Sequence, residues 1–334
     1  MQHAQSRSER LKTRLPFILL AVLGVAACEG RQSVLSPAGV DAEALATLFW
    51  VMLAGAVVLW LLLNGAFFFV TRVRRQAMPR AWAEGLIIGG GIVFPTFLLT
   101  VLLSWGLNAM PPMRAPGDGL VVHVQGEQWW WRVAYETPDG RVVSANEVRL
   151  PTGARTEFVL TADDVIHSFW IPSLGGKTDM IPGRTNRMSL QPTAPGVYRG
   201  QCAEFCGLSH AQMAFEAVAM EPDAFAAWLE AEAAPARPPE TDLARAGAAV
   251  FAEEGCGACH AIRGTRANGR VGPDLTHVGS RVSLGGGILP NEPEAMARWI
   301  ARTRIVKPGV RMPPYPHIDD ERMRALVTYL GGLT

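Results

Sequence analysis

Two long apolar runs in the first third of the chain restrict most strongly what this sequence can fold into. They cover about residues 44–70 and 85–107, and neither contains an acidic or basic residue. At about 1.5 Å per residue, helices of these lengths reach roughly 40 Å and 33 Å, enough to cross a bilayer. Buried helices of a soluble protein are rarely so long and uncharged. We therefore predict two transmembrane helices that contact membrane lipid.

The segment between the two runs is basic. It contains Arg72, Arg74, Arg75 and Arg80, and the positive-inside rule places such a loop in the cytoplasm. Both ends of the hairpin then lie outside, so we expect everything after about residue 110 on the periplasmic or extracellular side of a bacterial inner membrane. Glu84, which follows this loop, would be an interfacial charge that ends the cytoplasmic segment.

Residues 1–27 have the pattern of an export signal, in which a basic start precedes a short apolar run and small residues. The four residues VAAC that end at Cys28 resemble a bacterial lipobox, which predicts a lipidated cysteine as the mature first residue. The alternative is an ordinary signal peptide followed by an incidental cysteine. Residues 28–115 then contain the N-terminal segment and the two transmembrane helices.

Charge and cysteine content exclude two other classes of protein. The formal net charge is +1 and no run of lysine and arginine resembles a nucleic-acid patch, so nothing predicts a nucleic-acid partner. The five cysteines occur as one, two and two, which is not the pattern of a disulfide-stabilised domain in a chain of this length. The two pairs instead indicate two separate sites.

Residues 116–222 change to short segments with alternating apolar positions, separated by turns rich in Gly, Pro and Asp. This pattern of short alternating segments and turns predicts an all-β sandwich. The stretch QCAEFCGLSHAQM, residues 201–213, lies between two of the predicted strands and concentrates thiol, imidazole and thioether groups. Such soft ligands favour copper, zinc or iron–sulfur.

The ligand count favours two copper ions. Cys202 and Cys206 could bridge two metals, His210 and the more distant His167 could each bind one, and Met213 could serve as a weak axial ligand. A disulfide between the cysteines is an alternative in an exported domain. A zinc site with two Cys and two His is another, but it gives no role to the methionine.

These residues resemble subunit II of cytochrome c oxidase and its binuclear copper A site. The segments GEQWWWR and PSLGGKTDMIPGR, at residues 126–132 and 172–184, and the two-helix hairpin fit the same family. The resemblance implies a cupredoxin-like fold. It gives the alternative that Glu84 opens a proton path into subunit I. It also implies copper ligands, a weak ligand from a main-chain carbonyl, a magnesium shared with subunit I, and a tryptophan for electron entry. The residues at these positions are His167, Cys202, Cys206, His210 and Met213 for copper, Glu204 for the carbonyl and for magnesium, and Trp129 for electron entry.

Residues 223–240 predict a helix followed by a Pro-rich linker, and residues 241–334 predict a second, helical domain. This domain contains CGACH, in which Cys256 and Cys259 could form thioethers to a haem and His260 could bind its iron. A CxxC pair could also be a thioredoxin-type motif or half a zinc site. No second CxxC and no βαβ pattern supports either alternative.

Met312 lies in a proline-rich loop about fifty residues further on and is our candidate for the sixth iron ligand. Met296 and Met323 are alternatives, although both fall in helical patterns that favour packing roles. The domain resembles class I cytochrome c, and its fusion to a copper A domain resembles the caa-type subunit II.

The resemblance implies a function in respiration. Electrons from cytochrome c or another small donor would pass through haem c and copper A to haem in subunit I, where oxygen is reduced to water with proton translocation. Subunit I, and subunit III as a further subunit, would be partners, and the oxygen-reducing site would lie outside this chain. The alternative is a membrane-tethered haem and copper carrier that serves another acceptor, such as a nitric oxide reductase.

Overall fold

The computed structural model describes residues 30–73, 78–110 and 114–334. The predicted signal peptide, Cys28, Arg74 and Arg75 lie outside the described residues.

Two long helices begin the described chain, α1 (Val40–Val73) and α2 (Arg80–Ala109). Most of their apolar side chains are exposed, and almost none of their most apolar segments is buried within the protein. Both helices are longer than the predicted 44–70 and 85–107, because polar residues at their ends continue the helical hydrogen bonding. Glu84, for example, forms an ion pair of 2.7 Å with Arg80 one turn earlier.

The next domain is a sandwich of two five-stranded sheets, as the alternating pattern predicts. One sheet has the order β3-β2-β1-β5-β8 and the other β4-β10-β9-β6-β7. The strands are β1 (Val121–Glu127), β2 (Trp130–Thr137), β3 (Gly140–Ala145), β4 (Glu147–Pro151), β5 (Thr156–Ala162), β6 (His167–Trp170), β7 (Thr178–Met180), β8 (Asn186–Leu190), β9 (Gly196–Cys202) and β10 (Ala214–Met220).

The core of the sandwich is aromatic. Trp131 is fully buried and packs edge-on against Phe169 and Phe215, whose rings stack on each other at 4.8 Å. These residues belong to three different strands from both sheets. The core thus joins β2 to the strands β6 and β10 that flank the candidate copper ligands.

A buried ion pair joins α1 to the sandwich. Asp41, in the first turn of the helix, accepts two hydrogen bonds from the guanidinium of Arg155, at 2.9 and 3.2 Å. Both side chains are largely buried. A bidentate pair of this kind fixes direction as well as distance, so it sets the orientation of the sandwich relative to the first membrane helix.

The C-terminal domain is mainly helical. A connecting helix, α3 (Pro222–Ala233), precedes it. Its elements are α4 (Asp242–Glu253), β11 (Ser283–Leu284), β12 (Leu289–Pro290), α5 (Pro293–Ala301), α6 (Thr303–Val306) and α7 (Asp320–Gly331). The sequence did not predict the short β11–β12 hairpin, because two-residue strands have no alternating pattern to detect.

Helices α4 and α7 pack closely enough to require a glycine. A Cβ on Gly247 would lie 2.0 Å from the carbonyl oxygen of Ala325, so no larger residue fits there. Side-chain caps define both helix starts, with Thr241 accepting from the amide of Ala244 and Asp319 from that of Arg322. The two helices form the frame on which the loops of this domain are arranged.

The helical domain contacts the sandwich directly. Ser209 and Gln212, from the loop before β10, donate hydrogen bonds to the carbonyls of Pro308 and Val306 at 2.6 and 3.0 Å. On another part of the interface, the amide of Val282 donates to Glu147 at 2.7 Å. The Pro-rich linker left the arrangement of the two domains open, and the structure has them docked.

Candidate metal centre and cofactor pocket

The candidate copper ligands converge at one end of the sandwich. Cys202 ends β9, Met213 immediately precedes β10, and Cys206 and His210 lie in the loop between these two strands. His167 begins β6, which pairs with β9 so that Phe169 lies opposite Cys202. Strand pairing therefore brings in a histidine that is 35 residues away in sequence.

The donor atoms lie within contact distance of one another. The Sγ atoms of Cys202 and Cys206 are 3.8 Å apart, and both thiols are free. The Nδ1 of His167 lies 3.8 Å from the first sulfur, and the Nδ1 of His210 lies 3.6 Å from the second. The Sδ of Met213 is 3.7 Å from the Sγ of Cys206. Two thiols, each beside its own imidazole, and one thioether suit a soft metal and fit copper.

The electrostatics of the cluster favour a thiolate. The hydrogen bond that the Cys206 thiol donates lowers the pKa of Cys202, and the contacts with His167 and nearby main-chain groups lower it further, against the effect of burial. The same interaction raises the pKa of Cys206, and burial adds to this effect. Since metal ligation requires deprotonated thiols, the lowered pKa of Cys202 favours the form that a metal would bind.

Asp164 orients His167, and sequence analysis missed it. The Nε2 of His167 lies 3.1 Å from Oδ1 of Asp164, so the carboxylate accepts the proton of that nitrogen and leaves Nδ1 to face the sulfurs. Burial lowers the pKa of His167, but the hydrogen bonds with Cys202 and Asp164 outweigh burial and the pKa is raised. A carboxylate three residues before a candidate histidine ligand was the signal that could have found it.

The main-chain carbonyl and the side-chain carboxylate of Glu204 lie in different environments. Its main-chain carbonyl lies 3.1 Å from the Sγ of Cys202, within the candidate ligand cluster. Its carboxylate is exposed and lies 4.0 Å from the Nζ of Lys177. The carbonyl is thus placed for a weak ligand, whereas the carboxylate lies at the surface, where it also accepts a hydrogen bond from the amide of Phe205 at 3.2 Å.

The second site is a pocket in the helical domain. Cys256, Cys259, His260 and Met312 all line it, among mainly apolar side chains. Nδ1 of His260 donates to the carbonyl of Pro273 at 2.7 Å, which leaves Nε2 as an acceptor for a metal. Burial lowers the pKa of His260, so that its ring favours the neutral form that ligation requires.

Two further features suit a haem in this pocket. Gly272 packs against the imidazole ring of His260, and a Cβ on Gly272 would lie 2.6 Å from an atom of that ring. The buried side chain of Arg281 lines the pocket. Its Nη2 donates to the carbonyl of Asp274, while its Nε has no hydrogen-bond partner in the described part of the chain. This buried cationic group suits the carboxylates that haem carries. Of the alternative methionines, Met296 also lines the pocket and Met323 does not.

The three tryptophans of residues 129–131 have different surroundings. Trp131 is a core residue. Trp130 lines the pocket and lies beneath the guanidinium of Arg132. Trp129 is 6% exposed, lines the same pocket and donates from Nε1 to the carbonyl of Cys206 at 2.9 Å. Trp129 therefore contacts both candidate sites.

Comparison with known families agrees with this arrangement. A family model described as cytochrome c oxidase subunit II, periplasmic domain, matches residues 139–220, and one described as cytochrome c matches residues 244–334. Cytochrome c oxidase subunit 2 of Alkalihalophilus pseudofirmus is 42% identical over 248 residues, which cover 72% of this chain and 71% of that protein.

The chain belongs to the cytochrome c oxidase subunit 2 family. The subunit 2 of Bacillus subtilis is 35% identical over 252 residues, covering 72% of this chain and 70% of that protein. The solved periplasmic domain of subunit II of cytochrome oxidase from Bradyrhizobium japonicum is 32% identical, with a TM-score of 0.34, and covers 36% of this chain and 96% of that one.

Membership of the family confirms the predicted fold class, a membrane protein with two apolar helices, a cupredoxin-like sandwich and a cytochrome c domain. The protein is a subunit of an oxidoreductase complex, cytochrome c oxidase, and therefore has partner subunits. The two domain families imply copper A and haem c in general terms.

Proposed function

We propose that this chain is the electron-entry subunit of a caa-type cytochrome c oxidase. It takes electrons from cytochrome c or another small donor and passes them to subunit I, where oxygen is reduced to water and protons are translocated. When bound, haem c and binuclear copper A supply the one-electron redox centres. The chain's own residues fix the positions of those centres and the contact between them.

The observation that carries the proposal is the position of Trp129. Its side chain lines the pocket of the cytochrome domain, while its indole nitrogen hydrogen-bonds the main chain of Cys206 in the copper cluster. One residue thus joins the two candidate redox sites inside a single chain. A tether alone would only raise the effective concentration of the two domains. Here the domains are also in contact.

The geometry of the two sites supports the following ligand assignments as part of the proposal. Copper A would be held by His167, Cys202, Cys206, His210, Met213 and the carbonyl of Glu204. Haem c would be attached to Cys256 and Cys259, with His260 and Met312 on its iron. Trp129 would conduct electrons between the two sites.

The proposal also covers the domain boundaries, the location in the membrane and the partner subunits. We assign the boundaries 1–27 for the signal peptide, 28–115 for the membrane part, 116–222 for the copper domain, 223–240 for the connection and 241–334 for the cytochrome domain. The protein would lie in the bacterial inner membrane with both redox domains on the periplasmic side. Subunits I and III would be its partners, and the exposed carboxylate of Glu204 would reach a magnesium at the subunit I interface.

Electron paramagnetic resonance of the full-length chain, purified in detergent with haem and copper, tests this function. We expect hyperfine splitting from two equivalent copper nuclei, and the loss of this splitting in Cys202→Ser. Splitting from one nucleus in the wild type would contradict the binuclear assignment. Co-purification with an oxygen-consuming haem–copper subunit would distinguish an oxidase subunit from a carrier that serves another acceptor.

A further inference from the structure

Lys307 is a buried lysine at the boundary between the two redox domains. Only 1% of it is exposed, and its Nζ donates hydrogen bonds to the carbonyls of Trp129 and Gly285, both at 2.7 Å. Burying an amine is unfavourable unless its hydrogens find acceptors, and here one acceptor belongs to each domain. Since Lys307 is neither a candidate ligand nor a core residue of one domain, its position calls for a role between them.

A loop of three glycines meets Lys307 at the same place. Residues 285–287, here called the glycine loop, connect β11 to β12, and all three have a positive φ. A Cβ on Gly286 would lie 2.9 Å from the Nζ of Lys307, and one on Gly287 would lie 3.0 Å from the Cβ of Ala214. The absence of side chains lets the main chains meet, and the amide of Ala214 donates to the carbonyl of Gly286 at 3.0 Å.

The same contact covers the tryptophan between the two sites. Gly309, two residues after Lys307, lies over the ring of Trp129, where a Cβ would come within 2.7 Å of it. Lys307 therefore hydrogen-bonds the main chain of Trp129, and Gly309 covers the side chain of Trp129. An external protein cannot reach this ring while the domains are docked.

We propose that Lys307 and the glycine loop form a latch that fixes the cytochrome domain on the sandwich through the main chain of Trp129. Lys307 is a positioning residue, because it acts through the main chain of Trp129; its side chain also lines the cytochrome pocket but is not a candidate ligand. The latch rests on the proposed function only for its consequence, which is that electrons cross between the domains at a fixed separation. The docking itself is a property of the chain and can be measured separately.

Lys307→Met in the full-length chain, purified with its partner subunits, tests the latch, because methionine keeps most of the apolar stem and removes the donor. The first measurement is hydrogen–deuterium exchange of the peptide containing Ala214. The second is the rate of internal electron transfer from haem to copper after photoreduction. We expect exchange to become faster and transfer slower, each by at least about tenfold, the factor equivalent to about 1.4 kcal/mol. Haem and copper should both stay bound, because Lys307 is a candidate ligand of neither.

Arg199→Met is the matched control. Arg199 donates to the carbonyl of Gly287 at 2.7 Å, but it lies at the partly exposed rim of the same interface. We expect a much smaller change in both measurements than for Lys307→Met, because water replaces the hydrogen bond at this rim at little cost. The buried Glu216, which lies 3.9 Å from Arg199, keeps its ion pair with Arg31 at 3.3 Å. Equal effects of the two variants would refute the special role of Lys307.

Unchanged exchange and unchanged transfer in Lys307→Met would overturn the latch. Should that variant fail to assemble, Gly286→Ala tests the same contact from the other side, since its Cβ enters the space beside Nζ, and wild-type behaviour there would also overturn it. A wild-type chain without internal electron transfer would instead refute the proposed function, while the difference in exchange would still report on the latch.

Discussion

The indole nitrogen of Trp129 donates a 2.9 Å hydrogen bond to the carbonyl oxygen of Cys206, although 77 residues separate them in sequence. The side-chain amide of Gln128 donates to the same oxygen at 2.8 Å. Two adjacent residues, Gln128 and Trp129, thus both hydrogen-bond the main-chain carbonyl of Cys206, a candidate copper ligand. Both positions also line the cytochrome pocket.

Replacing Trp129 should separate electron transfer from metal binding. In Trp129→Phe we expect internal transfer from haem to copper to slow by about tenfold or more, because the indole contact with the copper loop is lost. Copper should stay bound, since Gln128 still satisfies the carbonyl of Cys206. Photoreduction kinetics and the copper spectrum together check this result. Gln128→Leu is the control, because it removes a hydrogen bond to the same oxygen and keeps the tryptophan.

Asp164→Ala should weaken copper binding without removing a ligand. The carboxylate fixes the orientation of His167, and losing such a partner typically lowers metal affinity by about 10–100-fold. Competition with a copper chelator measures the change. Asp163→Ala is the matched control, since Asp163 carries the same charge at the preceding position and has no hydrogen bond to His167. Equal losses in both variants would indicate a general charge effect.

Two methionines line the cytochrome pocket, and substitution should tell them apart. Met312→Leu should change the spectrum of the reduced haem and lower its potential, because a thioether ligand raises the potential. Met296→Leu should leave both unchanged and cost less than about 1.5 kcal/mol of stability, as expected for a swap that conserves volume in a core. Visible spectra and redox titration measure these effects. The opposite result would make Met296 the ligand.

The ion pair between α1 and the sandwich gives a stability prediction. Arg155→Met leaves the carboxylate of Asp41 buried without its partner, which should cost about 3–5 kcal/mol. The double variant Asp41→Leu with Arg155→Met should recover much of this loss, since it buries no unpaired charge. Thermal unfolding in detergent compares the three proteins. A double variant no more stable than the single one would show that the ion pair is not the source of the effect.

Local patterns in the sequence were sufficient for the elements and for most candidate ligands. Cys202, Cys206, His210 and Met213 fall within thirteen residues, so a single loop can bring them together whatever surrounds it. The same holds for the five residues of the haem motif, and for the membrane helices, whose apolar composition matches the bilayer. The end points of those helices were less accurate, because helical hydrogen bonding continues past the apolar residues.

Contacts between distant residues needed the tertiary structure. His167 joins the copper cluster only because β6 pairs with β9, and Asp164 gains its role only from the resulting orientation of the imidazole. Lys307 meets the carbonyl of Trp129 across 178 positions. The linker sequence allowed the cytochrome domain to dock or to move freely. The packing of the glycine loop on the sandwich decided between them, because that contact depends on two complementary main-chain surfaces that no local pattern encodes.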